Sequence, residues 1–150
     1  MTLLGQRERT QVRDHLAKRM DGAVTVRLFT QLASPLTAPT VQCETCRDTE
    51  QLLRELTELS DRLRLEVRDL VADADEARRL GVEHIPTIVL EGKNAGVLRY
   101  VGVPAGYEFA VLLEDLGDVS RGSTGLTAAT RERLASLPGP VEVKVLVTPT

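Results

Sequence analysis

The spacing of apolar residues changes character several times along the 150-residue chain. From Gln6 to Met20, the residues Val12, Leu16 and Met20 recur at helical spacing among charges, and Asp21-Gly22 supplies a stop, so this stretch predicts a helix. Ala23 to Phe29 then alternates and is rich in β-branched residues, which predicts a strand. Leu32 to Gln42 carries Pro35 and Pro39 amid Ser and Thr and reads as a loop. From about Cys43 to Ser60, Leu52, Leu53, Leu56 and Leu59 form an apolar stripe with Cys46 on the same face, the pattern of a long amphipathic helix. Leu63 to Arg68 alternates again, and a short helix around Asp73 to Leu80 is closed by Gly81.

Pro86 to Leu90 and Gly96 to Val101 are β-rich and joined by Glu91-Gly92-Lys93-Asn94, which predicts an antiparallel pair. Phe109, Leu112, Leu113 and Leu116 repeat at i, i+3, i+4 and i+7, so a further helix is expected, with Gly117 as its stop. Arg121 to Gly125 reads as a short linker. Thr127 is placed to cap a last helix containing Leu134 and Leu137, and Pro138-Gly139-Pro140 breaks it before an alternating strand from Val141 to Val147. The order of helix, strand, helix, strand, helix, strand, strand, helix predicts an α/β domain with a mixed sheet covered on both faces.

Composition narrows the possible functions. The hydrophobic share of 42% and the charged share of 27% are those of a globular protein. Apolar runs are far too short to cross a bilayer, no secretory signal is readable at the N-terminus, and a cytoplasmic address is therefore expected. The net charge is −3 and there are only two Tyr and two Phe, so no nucleic-acid footprint and no membrane partner are expected.

The candidate chemistry lies in Cys43-Glu44-Thr45-Cys46, which follows a strand and a loop and opens a helix. In that context a CxxC motif reads as redox chemistry, because the unpaired N–H groups of a helix N-terminus stabilise a thiolate at Cys43. The three-residue step brings the second sulfur within reach of disulfide closure. Glu44, lying between the thiols, is expected to make Cys43 less acidic and the couple more reducing than an uncharged spacer would. Zinc is the rival, since His15 and His84 complete a Cys2His2 count. Neither lies at finger spacing; His84 reads as a loop residue and His15 as one on the solvated side of a helix, so no metal is expected. A purely structural disulfide is disfavoured in a reducing compartment. The second constellation is Glu83-His84-Ile85-Pro86-Thr87, either a plain strand start or a cis Ile85–Pro86 bond presenting the Ile85 backbone to a peptide.

The segments CETCRDTEQLLRELTELSDRLRLEV, GVEHIPTIVLEG, GVPAGYEFAVLLEDLGDVSRG and VEVKVLVTPT resemble the glutaredoxin-like protein disulfide oxidoreductases of thermophilic archaea and bacteria. These are two-unit proteins of thioredoxin-like fold, relatives of the N-terminal redox domain of the flavoprotein component of alkyl hydroperoxide reductase. The resemblance implies a three-layer thioredoxin-like fold, with residues 1–120 as a redox domain. It implies residues 121–150 as a linker helix and strand leading toward a second unit that the chain lacks.

The same resemblance implies Cys43 as the attacking thiol, Cys46 as the resolving thiol, and Ile85, a cis Pro86 and Gly102 as the substrate-binding rim. The implied activity is protein dithiol–disulfide exchange with disulfide-containing proteins as substrates. A thioredoxin reductase-like flavoprotein would be the electron donor, and the chain itself would hold no cofactor, since it has no GxGxxG motif. The alternative is a docking or scaffold half with little activity of its own.

The chain departs from the family pattern in three ways: it has no Trp before Cys43, a longer loop over Ala33 to Gln42, and no carboxylate in the preceding strand. The last leaves Glu66 as the candidate proton acceptor for Cys46, against the plainer reading of Glu66 as a surface or edge charge. The alternating C-terminal strand, if unpaired, is expected to drive self-association.

Overall fold

The computed structural model describes residues 2–31 and 43–146, and the proline-bearing loop read at Leu32 to Gln42 lies outside them. In chain order the elements are α1 (Gln6–Arg19), β1 (Val24–Thr30), α2 (Cys46–Thr57), β2 (Leu63–Asp69), α3 (Ala74–Arg79), β3 (Thr87–Glu91), β4 (Leu98–Val101), α4 (Tyr107–Arg121) and α5 (Ala128–Ala135). The four strands and the first four helices follow the periodicity that predicts them.

The strands form one sheet in the order β2-β1-β3-β4. β1 pairs parallel with β2, from Val24 opposite Leu63 to Thr30 opposite Asp69, and antiparallel with β3, where Phe29 faces Thr87. β4 pairs antiparallel with β3, with Val101 opposite Thr87. A central strand must be covered on both faces, and every residue of β1 except Thr25 is buried. On one face Val24, Val26 and Leu28 pack with Ile88 and Leu90 against Val12 and Leu16 of α1, Leu53 and Leu56 of α2, and Leu112 and Leu116 of α4. On the other face Phe29 and Val89 meet Ala77 of α3, with Leu80 and Val82 just beyond it. The result is the three-layer α/β thioredoxin-like fold with a mixed, open sheet.

One polar side chain enters the α3 face. Arg27 of β1 is 8% exposed, and its guanidinium donates to Glu91 at 2.7 Å and to Glu66 at 3.2 Å, with Glu76 of α3 at 3.6 Å. Burial disfavours the cation, but the carboxylates outweigh it and hold Arg27 above its ordinary value. Glu66 is therefore a partner of Arg27, and also of Arg68 at 3.0 Å, on the face opposite α2. With the sheet between it and Cys46, Glu66 does not serve as that thiol's proton acceptor.

Four local features bear on the sequence reading, three of them by departing from it. α4 runs through Gly117 to Arg121 and stops at Gly122, whose φ of +67° is the left-handed cap conformation. Gly117 is buried where α4 crosses α1, and a β-carbon there would lie 3.0 Å from that of Arg19, so this glycine serves close approach and not termination. His15 is not on a solvated face. It is half-buried between α1 and α4, with Nε2 3.4 Å from Glu114. Residues 141–146 adopt no strand, because among the described residues no other backbone pairs with theirs. Thr127 caps α5 as the sequence predicts, accepting from the Thr130 N–H at 3.2 Å.

The N-terminal segment is held by a buried acid. Glu55, on α2 and 3% exposed, accepts from the Leu3 and Leu4 N–H groups at 2.9 Å each and from Gln51 Nε2 at 2.8 Å, with Arg9 3.7 Å away. Burial alone raises a carboxyl, yet these donors and the cation outweigh it and hold Glu55 below the usual range. A depressed folded-state value contributes stability above the unfolded-state value and loses it as pH falls through the folded one. Glu55→Gln is expected to cost about 1–3 kcal/mol at neutral pH, since it puts an amide N–H where N–H donors converge. That cost shrinks as pH drops below about 4, the ordinary carboxyl range. Denaturant melts of both proteins from neutral to acid pH check this, and a gap constant across the range is the contrary result.

Candidate functional site

The cysteines of the CxxC motif are joined: Cys43 and Cys46 form a disulfide with a Cα–Cα separation of 5.4 Å. The bonded pair straddles the start of α2. Cys46 is the first helical residue and Thr45 the cap, so Cys43 and Glu44 stand in a turn ahead of the helix. The sequence reading that begins the helix at Cys43 thus starts it about one turn too early.

The local reason is visible at Thr45. Its side chain makes no capping bond, while its carbonyl accepts from both the Thr49 N–H at 3.0 Å and the Thr49 hydroxyl at 2.8 Å. The N–H groups of the first turn, which have no partner among the described residues, lie at the end of α2 where Cys43 stands, and the partial positive charge there favours a thiolate. The two sulfurs differ in access: Cys43 is half-buried, whereas Cys46 is 6% exposed.

The second constellation sits at the same end of the sheet. Because α2 connects the parallel strands β1 and β2, it runs back along them and begins where both end. β3 begins there as well, antiparallel to β1, and β4 ends there. The Ile85–Pro86 peptide is cis. The Gly102 N–H donates to the Pro86 carbonyl at 2.8 Å, extending the β3–β4 ladder by one step past Thr87 and Val101. Gly102 has φ +98°, and among the described residues beyond its chain neighbours no atom lies within 4 Å of where its β-carbon would be, so backbone conformation is what calls for glycine here.

The Ile85 side chain packs against the Phe29–Val89 cluster, and among the described residues its backbone N–H and C=O have no partner. Thr87, fully buried, donates its hydroxyl to the His84 carbonyl at 2.7 Å and so ties the segment before Pro86 to β3. The sequence reading quotes Thr87 only as part of the proline motif. Its role depends on a turn geometry that residue spacing does not reveal. Beside this segment Thr30, Gln31, Leu70, Val71, His84 and Ile85 line a cleft of about 360 Å³.

Of the residues proposed from sequence, Cys43 and Cys46 are bonded to each other. Pro86 and Gly102 are hydrogen-bonded to each other, and Ile85 precedes them at the same end of the sheet. The histidines do not join the cysteines: His84 is exposed in the turn before Pro86, and His15 lies between α1 and α4. Among the described residues no group of three His, Cys, Asp or Glu side chains is placed to hold a metal ion. Among the same residues no helix is long and apolar enough to cross a membrane.

Residues 38–114, just over half of the chain, match the thioredoxin domain family model. The chain belongs to the thioredoxin domain family. Among solved structures, a protein disulfide oxidoreductase from Aeropyrum pernix K1 superposes with a TM-score of 0.73 and is 31% identical, covering 90% of this chain and 56% of that one. The alkylhydroperoxide reductase AhpF from Enterococcus faecalis superposes with a TM-score of 0.71 at 19% identity, over 90% of this chain and 61% of that one, and so shares the fold. The thioredoxin-family chain described here thus spans somewhat over half the length of these relatives. No curated protein matches it. A disulfide that closes at the start of the first crossover helix of a thioredoxin-like frame supports thiol–disulfide oxidoreductase activity.

Glu44 is exposed next to Cys43. Glu44→Gln removes a full negative charge adjacent to Cys43 and is expected to lower the thiol pKa of the reduced protein and make the couple less reducing. Thiolate absorbance against pH for the two proteins checks this, and an unchanged or higher value in the variant contradicts it.

Proposed function

We propose that this chain is a protein dithiol–disulfide oxidoreductase whose working pair is Cys43 and Cys46. The observation that carries the reading is the disulfide at the α2 start with unequal access to its two sulfurs. In the reduced form the more exposed Cys43 thiolate attacks a substrate disulfide, expelling one substrate thiolate and forming a mixed disulfide. Cys46 then loses its proton and attacks Cys43, releasing the second substrate thiol and closing the ring. Two electrons pass from the Cys43–Cys46 dithiol to the substrate, and a donor must return them.

Ile85, Pro86 and Gly102 form the rim on this reading. An extended peptide flanking the substrate disulfide pairs with the N–H and C=O of Ile85, which have no partner among the described residues, an addition by main-chain hydrogen bonds that would admit varied sequences. Gly102 keeps the neighbouring loop free of a side chain. The donor is assigned as a thioredoxin reductase-like flavoprotein, and the substrates as disulfide-bearing proteins. The reading assigns this work to the cytoplasm, where small-molecule thiols keep such a pair supplied with electrons. Residues 1–120 are taken as the redox unit and 121–150 as an appended linker helix and strand, in keeping with an α5 that buries no residue.

Insulin reduction with dithiothreitol tests the assignment. The wild-type chain is expected to accelerate it, Cys43→Ser to fall to the rate of dithiothreitol alone, and Cys46→Ser to accumulate a mixed disulfide with substrate visible by intact mass. Equal rates for wild type and Cys43→Ser would instead mark the chain as a docking half without chemistry of its own.

A further inference from the structure

The buried stripe of α2 opens with Cys46 and runs on to Leu52, Leu53 and Leu56. Thr49 stands in that stripe, fully buried, one turn beyond Cys46 on the same face. A valine would fill the same volume there without a polar atom. The Thr49 hydroxyl instead donates back to the Thr45 carbonyl at 2.8 Å, although that carbonyl already accepts from the Thr49 N–H at 3.0 Å. A back-bond of this kind does not stabilise a helix. Thr10 and Thr57 make the same bond to Gln6 and Leu53, but at an exposed and a half-buried position. Thr49 makes it out of reach of water, one turn from a thiol.

The direction of the bond matters. Helix carbonyls point toward the C-terminus, so a donor to the Thr45 carbonyl lies on its C-terminal side and its O–H points back toward the start of α2. The positive end of that dipole is therefore turned toward the cysteine end, in the same sense as the peptide N–H groups. Cys46 is 6% exposed. Where water is excluded a thiol is costly to ionise, and a fixed dipole is weakly screened and acts the more strongly on it.

We propose that Thr49 is a positioning residue for the resolving step: its hydroxyl, fixed on the Thr45 carbonyl, turns a dipole toward Cys46 that favours the Cys46 thiolate. The inference rests on the reading of Cys46 as the resolving thiol. In that step Cys46 gives its proton to solvent and its sulfur attacks Cys43. The bond between Cys43 and the substrate sulfur breaks, and the substrate thiolate leaves with the electron pair and takes up a proton from solvent. Thr49 keeps its own proton throughout.

Titration of Cys46 in the Cys43→Ser chain, where it is the sole thiol, reads the effect directly as thiolate absorbance against pH. Adding Thr49→Val or Thr49→Ala, both without the hydroxyl, is expected to raise the pH of half-ionisation. On its acid side the thiolate fraction falls roughly twofold to fivefold, the span of a fixed charge at a helix end. Thr49→Ser, which keeps the hydroxyl, is expected to titrate like the parent. The other charged groups at this end of the sheet are Glu44, Arg47 and Asp48 beside the cysteines, Asp69 at the end of β2, and Glu83 and His84 before Pro86. They are the same in every variant and cancel from the comparison. In the two-cysteine chain Thr49→Val is expected to hold more mixed disulfide with insulin, read by intact mass after acid quenching, and the excess is expected to narrow as pH rises. Unchanged titration in Thr49→Val and Thr49→Ala, or a Thr49→Ser that shifts as far as they do, overturns the proposal. A two-cysteine chain that leaves insulin unreduced is a separate failure, that of Cys46 as resolving thiol, and the titration, which needs no turnover, still decides whether Thr49 acts on Cys46.

Discussion

The double pairing of β1 is the constraint on which the rest depends. As the central strand of β2-β1-β3-β4 it is parallel to one neighbour and antiparallel to the other. The parallel pairing demands a crossover, which α2 supplies, and so fixes where that helix begins. The antiparallel pairing brings the start of β3 to the same place. The cysteine pair at the start of α2 and the cis Ile85–Pro86 bend before β3 are therefore brought to the same end of the sheet by backbone hydrogen bonding. Loops of any sequence at that end would be brought together, and this chain places its chemistry there.

Burial of β1 on both faces has a cost that Arg27 makes plain. A cation in the middle of a covered sheet survives because Glu66, Glu76 and Glu91, from three different elements, converge on it. Those carboxylates are committed to Arg27, Arg68 and Arg79, which removes all three from consideration as proton acceptors for the thiols. Glu55 is likewise committed, to the backbone of the N-terminal segment. These charges serve architecture, and the cysteine end is set by the helix-terminus N–H groups and by the unequal access to the two sulfurs.

Much of this was legible in the sequence because local patterns and tertiary demands agree there. The Leu52, Leu53 and Leu56 stripe names the buried face of α2, and the alternation in β1, β2 and the β3–β4 pair names the strands. The cysteine spacing after a strand and loop names the site, though the cis bond before Pro86 followed from family resemblance and not from residue pattern. The misreadings have one cause, that a local signal depends on what lies across from it. Gly117 looks like a stop until Arg19 of α1 is seen packed on it. Val141 to Leu146 alternates like a strand, but a strand exists only with a partner. Cys43 looks like a first helical residue, yet the first helical hydrogen bond runs from the Thr49 N–H to the Thr45 carbonyl, which leaves Cys43 in the preceding turn. Glu55 gave no signal because its partners, Leu3 and Leu4, lie about fifty positions away.

The central claim is that Cys43 and Cys46 form a reversible redox couple and not a permanent staple. The direct measurement is the equilibrium of the pair against a graded glutathione or dithiothreitol redox buffer, read by intact mass after alkylation. The account expects a reversible two-electron transition with a potential in or below the roughly −220 to −320 mV range of cytosolic poise, as a reductase needs. A pair that never closes in solution, or that closes and cannot be reopened by these buffers, would contradict it.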